Sequence, residues 1–405
     1  MKKLWAFFVL SAAILCGCSN NTFSTDADGT GVSDYFCMTV MYENGAFYTV
    51  NNGTNMLMYY SMDAKKYVPV CTKPNCTHNS KTSPDCNAVV NDARGIYKFD
   101  DRLYFFDFSA EGRLQLIQAD LNGSNRRVVS ELFGEYALMY NYKRFSYAED
   151  HVLVVCQDIL DLDNSEERAP SESASNAEYY TSYIVKVDLN TGKTEELVKR
   201  RDHLSTINGA VIHDNRLIYS YWHYEGDPFT QVEDEYALLR GGIYSVDLAT
   251  GEETLLSGDF QCMLIQNNSF DSFDPEKTVC YSLDRDDYTL YIYDMTAGTF
   301  EPVGVTVDPL AFTVADDRDI VFLSDRDDGY YTRYNIETKE LSELPILPEG
   351  RYLSGCCIAG ETLWFSYDNE DDIYCRGYMS RADFMAGKYD DYTFAYYINS
   401  MDGEQ

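Results

Sequence analysis

The sequence predicts an all-β protein, and more specifically a seven-bladed β-propeller with four-stranded antiparallel blades. The first observation is a tight-turn signal that ends each of seven apolar and aromatic runs, in which an Asp or Asn is followed mostly by a small residue, Gly or Lys. The signal recurs at Asp63, Asp120, Asp188, Asp247, Asp294, Asn335 and Asp383. The second observation is a strand-like pair before each turn. In-phase copies of one supersecondary unit indicate a repeat architecture.

Composition supports an ordered β protein. The chain has 35 Tyr and 21 Phe, which suit half-buried strands and argue against disorder. The net charge of −34 disfavours nucleic acid and anionic lipid heads as partners, because like charges repel. The acidic residues also suggest calcium as a cofactor, although a solvated acidic surface is the interpretation we favour.

The first residues predict export. Lys2 and Lys3 precede an apolar run from Leu4 to Leu15 that is too short to span a bilayer. The following Leu15-Cys16-Gly17-Cys18 resembles the lipobox of bacterial lipoproteins. The resemblance implies cleavage before Cys18 and a lipid on its thiol; the alternative is an ordinary signal peptide cleaved elsewhere.

These signals divide the chain into three parts. We expect a signal peptide over residues 1–17, a flexible tether over 18–33 and one propeller over 34–400. The protein would be anchored by lipid to the extracytoplasmic side of a cell membrane. Blades 1 and 7 each fill with consecutive strands, so ring closure is expected to depend on packing rather than on a shared strand.

A cysteine-rich insert over residues 71–86 interrupts the repeat. We expect it to join the first blade to the second. Cys71, Cys76, His78 and Cys86 form a set that zinc would accept, since thiolates and a neutral imidazole match its ligand preference. In an exported protein, however, a disulfide between two of the cysteines is the interpretation we favour. The segment resembles an insert in propeller lipoproteins of anaerobic gut bacteria.

Two further insertions are expected as exposed loops, over residues 156–179 and 222–240. The first is acidic and lacks periodicity. Its Asp161, Asp163 and Glu167 have alternate spacing, but the glycine of a calcium loop is missing, so a solvated loop is favoured. In the second we select Trp222, His223 and Tyr224 as ligand-binding candidates.

Related turns follow in the fifth and sixth repeats. Asp284-Arg285 and Asp325-Arg326 each end a strand-like run, and the second pair, followed by Gly329, resembles the repeat of TolB-like propellers. The resemblance implies an exported binding scaffold. It makes these Asp and Arg residues candidate ligand contacts, although fastening a turn is the simpler role.

Function is expected at the rim where the insertions meet, because a rigid scaffold presents variable loops there. No nucleophile elbow, zinc-protease motif or phosphate loop is present in the sequence. The sequence therefore favours a binding or scaffolding module for a protein, peptide or glycan. The alternative is an extracellular hydrolase that acts on glycan or peptide through rim carboxylates.

The remaining cysteines suggest two bridges. Cys37 in the first blade faces Cys356 and Cys357 in the last, so a disulfide could join the ends of the ring. Cys262 and Cys280 flank one hairpin of the fifth blade. Buried free thiols are the favoured alternative for both sets.

Overall fold

The computed structural model describes a molecule built almost entirely of antiparallel β-strands. It covers residues 32–33, 39–51, 54–78, 83, 85–111, 113–132, 144–147, 150–158, 179–203, 205–225, 238–258, 263–265, 277–284, 287–307, 312–315, 319–322, 330–345, 354–368, 374–389 and 392–397. Among these residues, no helix has the length and apolar composition needed to cross a membrane.

The strands form seven sheets that follow one another along the chain in a β-propeller arrangement. The first three sheets contain β1 (Val32–Ser33), β2 (Thr39–Tyr42), β3 (Gly45–Asn51), β4 (Asn55–Ser61) and β5 (Lys66–Pro69); β6 (Arg94–Phe99), β7 (Arg102–Phe108), β8 (Leu114–Asp120) and β9 (Arg127–Leu132); β10 (Arg144–Tyr147), β11 (His151–Asp158), β12 (Tyr179–Asp188) and β13 (Thr194–His203).

The other four sheets contain β14 (Thr206–His213), β15 (Arg216–Tyr224), β16 (Leu239–Asp247) and β17 (Glu253–Ser257); β18 (Met263–Ile265), β19 (Lys277–Asp284), β20 (Asp287–Asp294) and β21 (Thr299–Val307); β22 (Phe312–Ala315), β23 (Asp319–Phe322), β24 (Tyr330–Asn335) and β25 (Leu341–Pro345); β26 (Ser354–Ala359), β27 (Thr362–Asp368), β28 (Tyr374–Ser380) and β29 (Thr393–Tyr397). Every sheet pairs neighbours in chain order. The prediction of four strands per blade is wrong for the first sheet, where β1 adds a fifth strand through Val32↔Met41.

Middle strands are buried on both faces because each sheet is covered on both sides by its neighbours. In β4 five successive residues from Met56 to Tyr60 are buried. Leu57 and Tyr59 belong to the core shared with the second sheet, whereas Met56, Met58 and Tyr60 belong to the core shared with the last sheet. A strand with two buried faces reads as a continuous apolar run rather than as an alternation.

The predicted turns join third to fourth strands. In four of them the side chain of the Asp or Asn accepts hydrogen bonds from backbone N–H groups two or three residues later, as Asp247 does from Ala249 and Thr250 at 2.8 and 2.9 Å. The fifth residue of the turn, counted from the Asp or Asn, then has a left-handed backbone conformation, with φ of 72° at Gly251 and 60° at Lys339. The turn predicted at Asp383 is instead a short helix, α1 (Arg381–Met385), whose N-cap is Ser380.

Ring closure involves packing and hydrogen bonds between the last and first sheets. The indole Nε1 of the fully buried Trp364 donates to the carbonyl of Tyr42 at 2.9 Å, and Thr362 Oγ1 donates to the carbonyl of Glu43 at 2.8 Å. Tyr48 and Tyr396 stack with ring centroids 3.9 Å apart. Both sheets consist of consecutive strands, so within the described chain no strand is exchanged between them.

Candidate functional site

The cysteine-rich insert lies inside the outer strand of the first sheet. After β5, the backbone N–H of Val70 donates to the carbonyl of Leu57 at 2.9 Å, and the chain then leaves the sheet. It returns at Ala88, whose carbonyl accepts from the N–H of the same Leu57 at 2.8 Å, and Met56 pairs with Val89. The insert thus lies between β5 of the first sheet and β6 of the second, and the chain resumes its pairing with β4 before it continues to the second sheet.

The four candidate ligands converge within the insert. The Sγ atoms of Cys71, Cys76 and Cys86 and a ring nitrogen of His78 all lie within 4.8 Å of one another. Cys86 Sγ lies 3.6 Å from His78 Nδ1. All three cysteines are free thiols, so the disulfide favoured from the sequence does not join any two of them here.

Two short turns bring the ligands together. The N–H of Cys76 donates to the carbonyl of Lys73 at 3.3 Å, and the N–H of Cys86 donates to the carbonyl of Ser83 at 3.0 Å. An exposed ion pair between Lys73 Nζ and Asp85 Oδ2, 2.9 Å apart, links these turns. His78 has a φ of 52°, a left-handed conformation that costs free energy in a residue with a side chain and that turns its imidazole toward the thiols.

The protonation chemistry of the group suits metal binding. Burial lowers the pKa of the His78 imidazole, so the ring is neutral at pH 7, which is its ligand form. Burial acts to raise the pKa of the Cys76 thiol, but hydrogen bonds from the His78 backbone and nearby side chains bring it below its ordinary value. Burial raises the pKa of Cys86 to about 12.

Arg126 of the second sheet fixes the returning chain. Its guanidinium donates to the carbonyls of Asn87 and Val89, the latter at 2.7 Å, and lies 5.4 Å from the ring centroid of Phe105. The neighbouring Gly123 is left-handed, and a Cβ there would lie 2.7 Å from the carbonyl oxygens of Val70 and Asn87. No local pattern in the sequence distinguishes Arg126, because an Arg directly after a predicted turn is common.

The predicted cluster of Trp222, His223 and Tyr224 is not part of a loop. All three residues lie in β15, paired with Gly241, Arg240 and Leu239 of β16. Successive strand residues point to opposite faces, and accordingly Trp222 packs on Tyr224 with ring centroids 5.7 Å apart, whereas His223 packs on Tyr221 at 5.6 Å. The three side chains therefore cannot form one binding surface.

The insertions predicted over residues 156–179 and 222–240 are also shorter than predicted, because strands extend into both ranges. Cys156 to Asp158 belong to β11, Tyr179 begins β12, and β16 begins at Leu239. Residues 159–178 and 226–237 lie outside the described part of the chain. The same holds for Cys18, Cys37, Cys262, Arg285, Asp325 and Arg326. Asp284 and Cys280 are strand residues of β19, and Cys356 is one of β26.

No disulfide between the first and last sheets is observed among the described side chains. Cys357 is buried and has a free thiol, and its Sγ lies 3.2 Å from the Sδ of Met41 across the junction of the last and first sheets. Its predicted partner, Cys37, lies outside the described residues. The pairing of Cys37 with Cys356, and that of Cys262 with Cys280, remain predictions.

No family model and no curated relative matches the sequence. Solved structures of β-propeller proteins do match. Oligogalacturonate lyase from Vibrio parahaemolyticus is 12% identical over 87% of this chain and 91% of its own, with a TM-score of 0.53. The β-propeller domain of the Trilobed protease from Pyrococcus furiosus is 13% identical over 92% of this chain and 100% of its own, with a TM-score of 0.50.

A peptidase from Mycobacterium tuberculosis that hydrolyses puromycin is 11% identical over 94% of this chain and 57% of its own, with a TM-score of 0.57. This chain thus spans little more than half the length of that peptidase. At these identities the likeness shows the fold alone, and it places the chain in the structural class of β-propellers. TolB from Acinetobacter baumannii gives a TM-score of only 0.38, which is too low to support the TolB resemblance of the Asp-Arg turns.

Proposed function

We propose that this chain is a lipid-anchored, extracytoplasmic β-propeller that binds a protein, peptide or glycan at one face. The observation that carries the proposal is the placement of its insertions on the sheets. The β11–β12 and β15–β16 connections both join a second strand to a third strand. The cysteine insert leaves and re-enters the first sheet beside Asn55, which directly follows the β3–β4 connection.

Strand direction explains why these segments would share a face. In an antiparallel sheet whose strands follow chain order, all connections between second and third strands emerge at the same end. If the sheets are arranged around one axis, equivalent ends form one face of the ring. Variable segments on a rigid face are where propellers accommodate ligands with little cost to their cores.

We further propose that all seven sheets are blades of a single ring. Inner strands of successive sheets contact one another in six places, namely β2 with β6, β6 with β10, β10 with β14, β14 with β18, β22 with β26, and β26 with β2. The last of these contacts joins the two ends of the chain. A seven-bladed ring also matches the seven turn signals in the sequence.

Binding at this face is tested by paired substitutions in β15. Trp222→Ala combined with Tyr224→Ala removes the aromatic pair on one side of the strand, at the end nearest the insertion. Glycan or peptide ligands identified by thermal shift should lose affinity at least tenfold, which is about 1.4 kcal/mol. Phe394→Ala is the matched control, because Phe394 is an exposed aromatic residue of the outer strand β29.

Loss of binding in the control and not in the β15 variant would contradict the proposed face. A ligand that is indifferent to both changes would also contradict it, provided that both proteins keep the circular dichroism spectrum and melting temperature of the original chain. This comparison is independent of membrane attachment, which is tested separately below.

A glycan-active enzyme is the second candidate function. Its support is that oligogalacturonate lyases match over most of both chains, one of them in complex with manganese. Incubation with oligogalacturonate and manganese should then release unsaturated products that absorb in the ultraviolet. If an oligosaccharide binds and no product forms, the chain is a binding module. If product forms, the chain is a glycan-active enzyme and the binding-module proposal is wrong.

A further inference from the structure

The cysteine-rich insert has the ligand number and spacing of a closed metal site. Zinc in structural sites is tetrahedral, with Zn–S of about 2.3 Å and Zn–N of about 2.0–2.1 Å, which separates neighbouring ligand atoms by roughly 3.5–3.8 Å. The 3.6 Å between Cys86 Sγ and His78 Nδ1 falls in this range, and all four ligand atoms lie within 4.8 Å. Small side-chain rotations bring the set to tetrahedral geometry.

The composition of the set selects the ion. Three thiols and one imidazole are soft and borderline ligands that suit zinc, whereas calcium and magnesium take oxygen ligands. Four protein ligands also fill the tetrahedron, so no position remains for a water or a substrate. Such a site contributes to folding rather than to catalysis.

The position of the set connects the insert to the ring junction. Cys86 is buried in the hydrophobic core formed by the first and last sheets, which includes Met58 and Trp364, and Cys71 and Cys76 pack against the same core. Cys71 directly follows the point where the chain leaves β4, and Cys86 closely precedes the point where the chain rejoins β4. A metal ion held by both residues would tie the ends of the insert to each other and to this core.

We propose that Cys71, Cys76, His78 and Cys86 bind one zinc ion as a closed structural site that fastens the insert beside the junction of the first and last sheets. This inference goes beyond the proposed binding function and does not depend on it. The bound zinc would hold the insert in one conformation. It would also stabilise the region beside the junction where the first and last sheets pack together.

The first test is the metal content of the full chain, purified without a chelator. We expect about one zinc per chain, and His78→Ala should lower this content by more than about tenfold. His151→Ala is the matched control, because His151 contacts Asp150 far from the insert, and it should keep its zinc. His78→Cys should also keep zinc, because four thiolates form an equally suitable site.

The second test follows the coordination and the insert directly. Cobalt(II) that replaces zinc should give the intense visible absorption and the sulfur charge-transfer band of a tetrahedral thiolate site, in both the original chain and His78→Cys. Chelation should open the segment between Cys71 and Cys86 to proteolysis and lower the melting temperature. His78→Cys keeps the test decisive if His78→Ala does not fold.

Three outcomes would overturn the proposal. The first is a chain without metal whose three thiols alkylate freely. The second is a mass two hydrogens lighter, which indicates a disulfide in the insert. The third is equal zinc loss in His151→Ala and His78→Ala, which would show that the bound zinc lies elsewhere or is adventitious.

Discussion

Arg126 makes four contacts that a lysine ammonium cannot reproduce together. Its fork donates to the carbonyls of Asn87 and Val89, Nε donates to Gly123 at 3.2 Å, and its plane covers Phe105. Burial lowers the pKa of this guanidinium, yet an arginine stays charged in proteins at neutral pH. The side chain therefore joins the hairpin of the second sheet to the end of the insert.

Arg126→Lys should lower the free energy of unfolding by about 1–3 kcal/mol, because buried carbonyls lose donors. Arg127→Lys is the matched control at the next position, where the side chain is exposed and bonds Gln118; it should stay within about 0.5 kcal/mol. Denaturant unfolding of the two variants measures the difference. Equal losses of unfolding free energy in the two variants would show that the contacts of Arg126 stabilise the fold no more than those of the exposed Arg127.

Cys18 is the residue on which the proposed membrane attachment would depend. The lipobox predicts that the mature chain begins at a diacylated Cys18 and that it fractionates with membranes. Cys18→Ser should remain uncleaved by the lipoprotein peptidase and should not incorporate radiolabelled palmitate. Intact-mass measurement of the membrane-extracted protein gives the answer, and an unmodified thiol or a different first residue contradicts the prediction.

At the scale of elements, the repeated turn is a compact device with three parts. An Asp or Asn side chain accepts backbone N–H groups, the carbonyl of the same residue accepts from the fifth residue at 2.8–2.9 Å, and the fifth residue is left-handed. Glycine fills the last position at Gly192, Gly251 and Gly298, because a left-handed conformation costs it little. This local chemistry is why the turns could be recognised from the sequence.

The glycines of these turns differ in their surroundings. Gly251 has no atom within 4 Å of an added Cβ, whereas a Cβ at Gly192 would lie 1.9 Å from the carbonyl oxygen of Val129 in the preceding sheet. Gly251→Ala should therefore cost only the left-handed conformation, about 1–2 kcal/mol. Gly192→Ala should cost more, because the hairpin must also move away from β9. Thermal or denaturant unfolding compares the two, and a smaller loss for Gly192→Ala would contradict the packing described.

The carboxylate of Asp247 should make the turn sensitive to acid. Hydrogen bonds from the backbone of Thr250 and Ala249 hold the pKa of Asp247 below its usual value. A depressed folded-state pKa means that the stabilisation is present above the unfolded pKa and is lost as pH falls through the folded pKa. Asp247→Asn keeps an acceptor, as Asn335 does in the sixth sheet, but does not titrate.

The original chain should therefore exceed Asp247→Asn in melting temperature at pH 7, and the two should converge as the pH falls below about 4, the ordinary pKa of an Asp side chain. Asn335→Asp is the reciprocal control, which should gain stability at pH 7 and lose that gain in acid. A difference for Asp247→Asn that does not change with pH would mean that the charge of the carboxylate plays no part in the turn.

For the whole molecule, the junction between the last and first sheets decides whether the ring is closed. It combines the hydrogen bonds of Trp364 and Thr362 with the stacked pair Tyr48 and Tyr396. These contacts join residues more than three hundred positions apart, so they form only when the chain is complete. Closure by such contacts is consistent with each end sheet being built from its own strands.

Trp364→Phe should lower the free energy of unfolding by about 2–4 kcal/mol, because it leaves the Tyr42 carbonyl without its donor and opens a cavity at a fully buried site. Trp222→Phe, at a half-buried position of β15, should cost less than about 1 kcal/mol. Denaturant unfolding of both variants checks the comparison. Similar losses would show that the junction contributes no more than an ordinary strand.

The sequence identified the repeating units because turn chemistry and strand periodicity are local. The position of Asp247 and its glycine could be recognised without knowing what packs against them, and the insert ligands could be selected by residue type. The roles of Arg126 and of the β5 interruption depend on contacts between separate sheets, which no local pattern encodes. Trp222, His223 and Tyr224 were misplaced because aromatic residues extend β15 farther than the adjacent acidic residues suggested.

Both ends of the insert form hydrogen bonds with the same residue of β4, Leu57. The segment between Val70 and Ala88 is therefore an insertion into the ladder and not one of its strands. The residues before and after the insert both pair with β4, so excision would leave the ladder continuous, while it would remove Cys86 from the core shared by the first and last sheets. A designed peptide of another sequence could be grafted there without altering the hydrogen-bonding partners of the sheet. By the same logic, this is a place where a lineage could acquire or discard a module while the surrounding ring keeps its geometry.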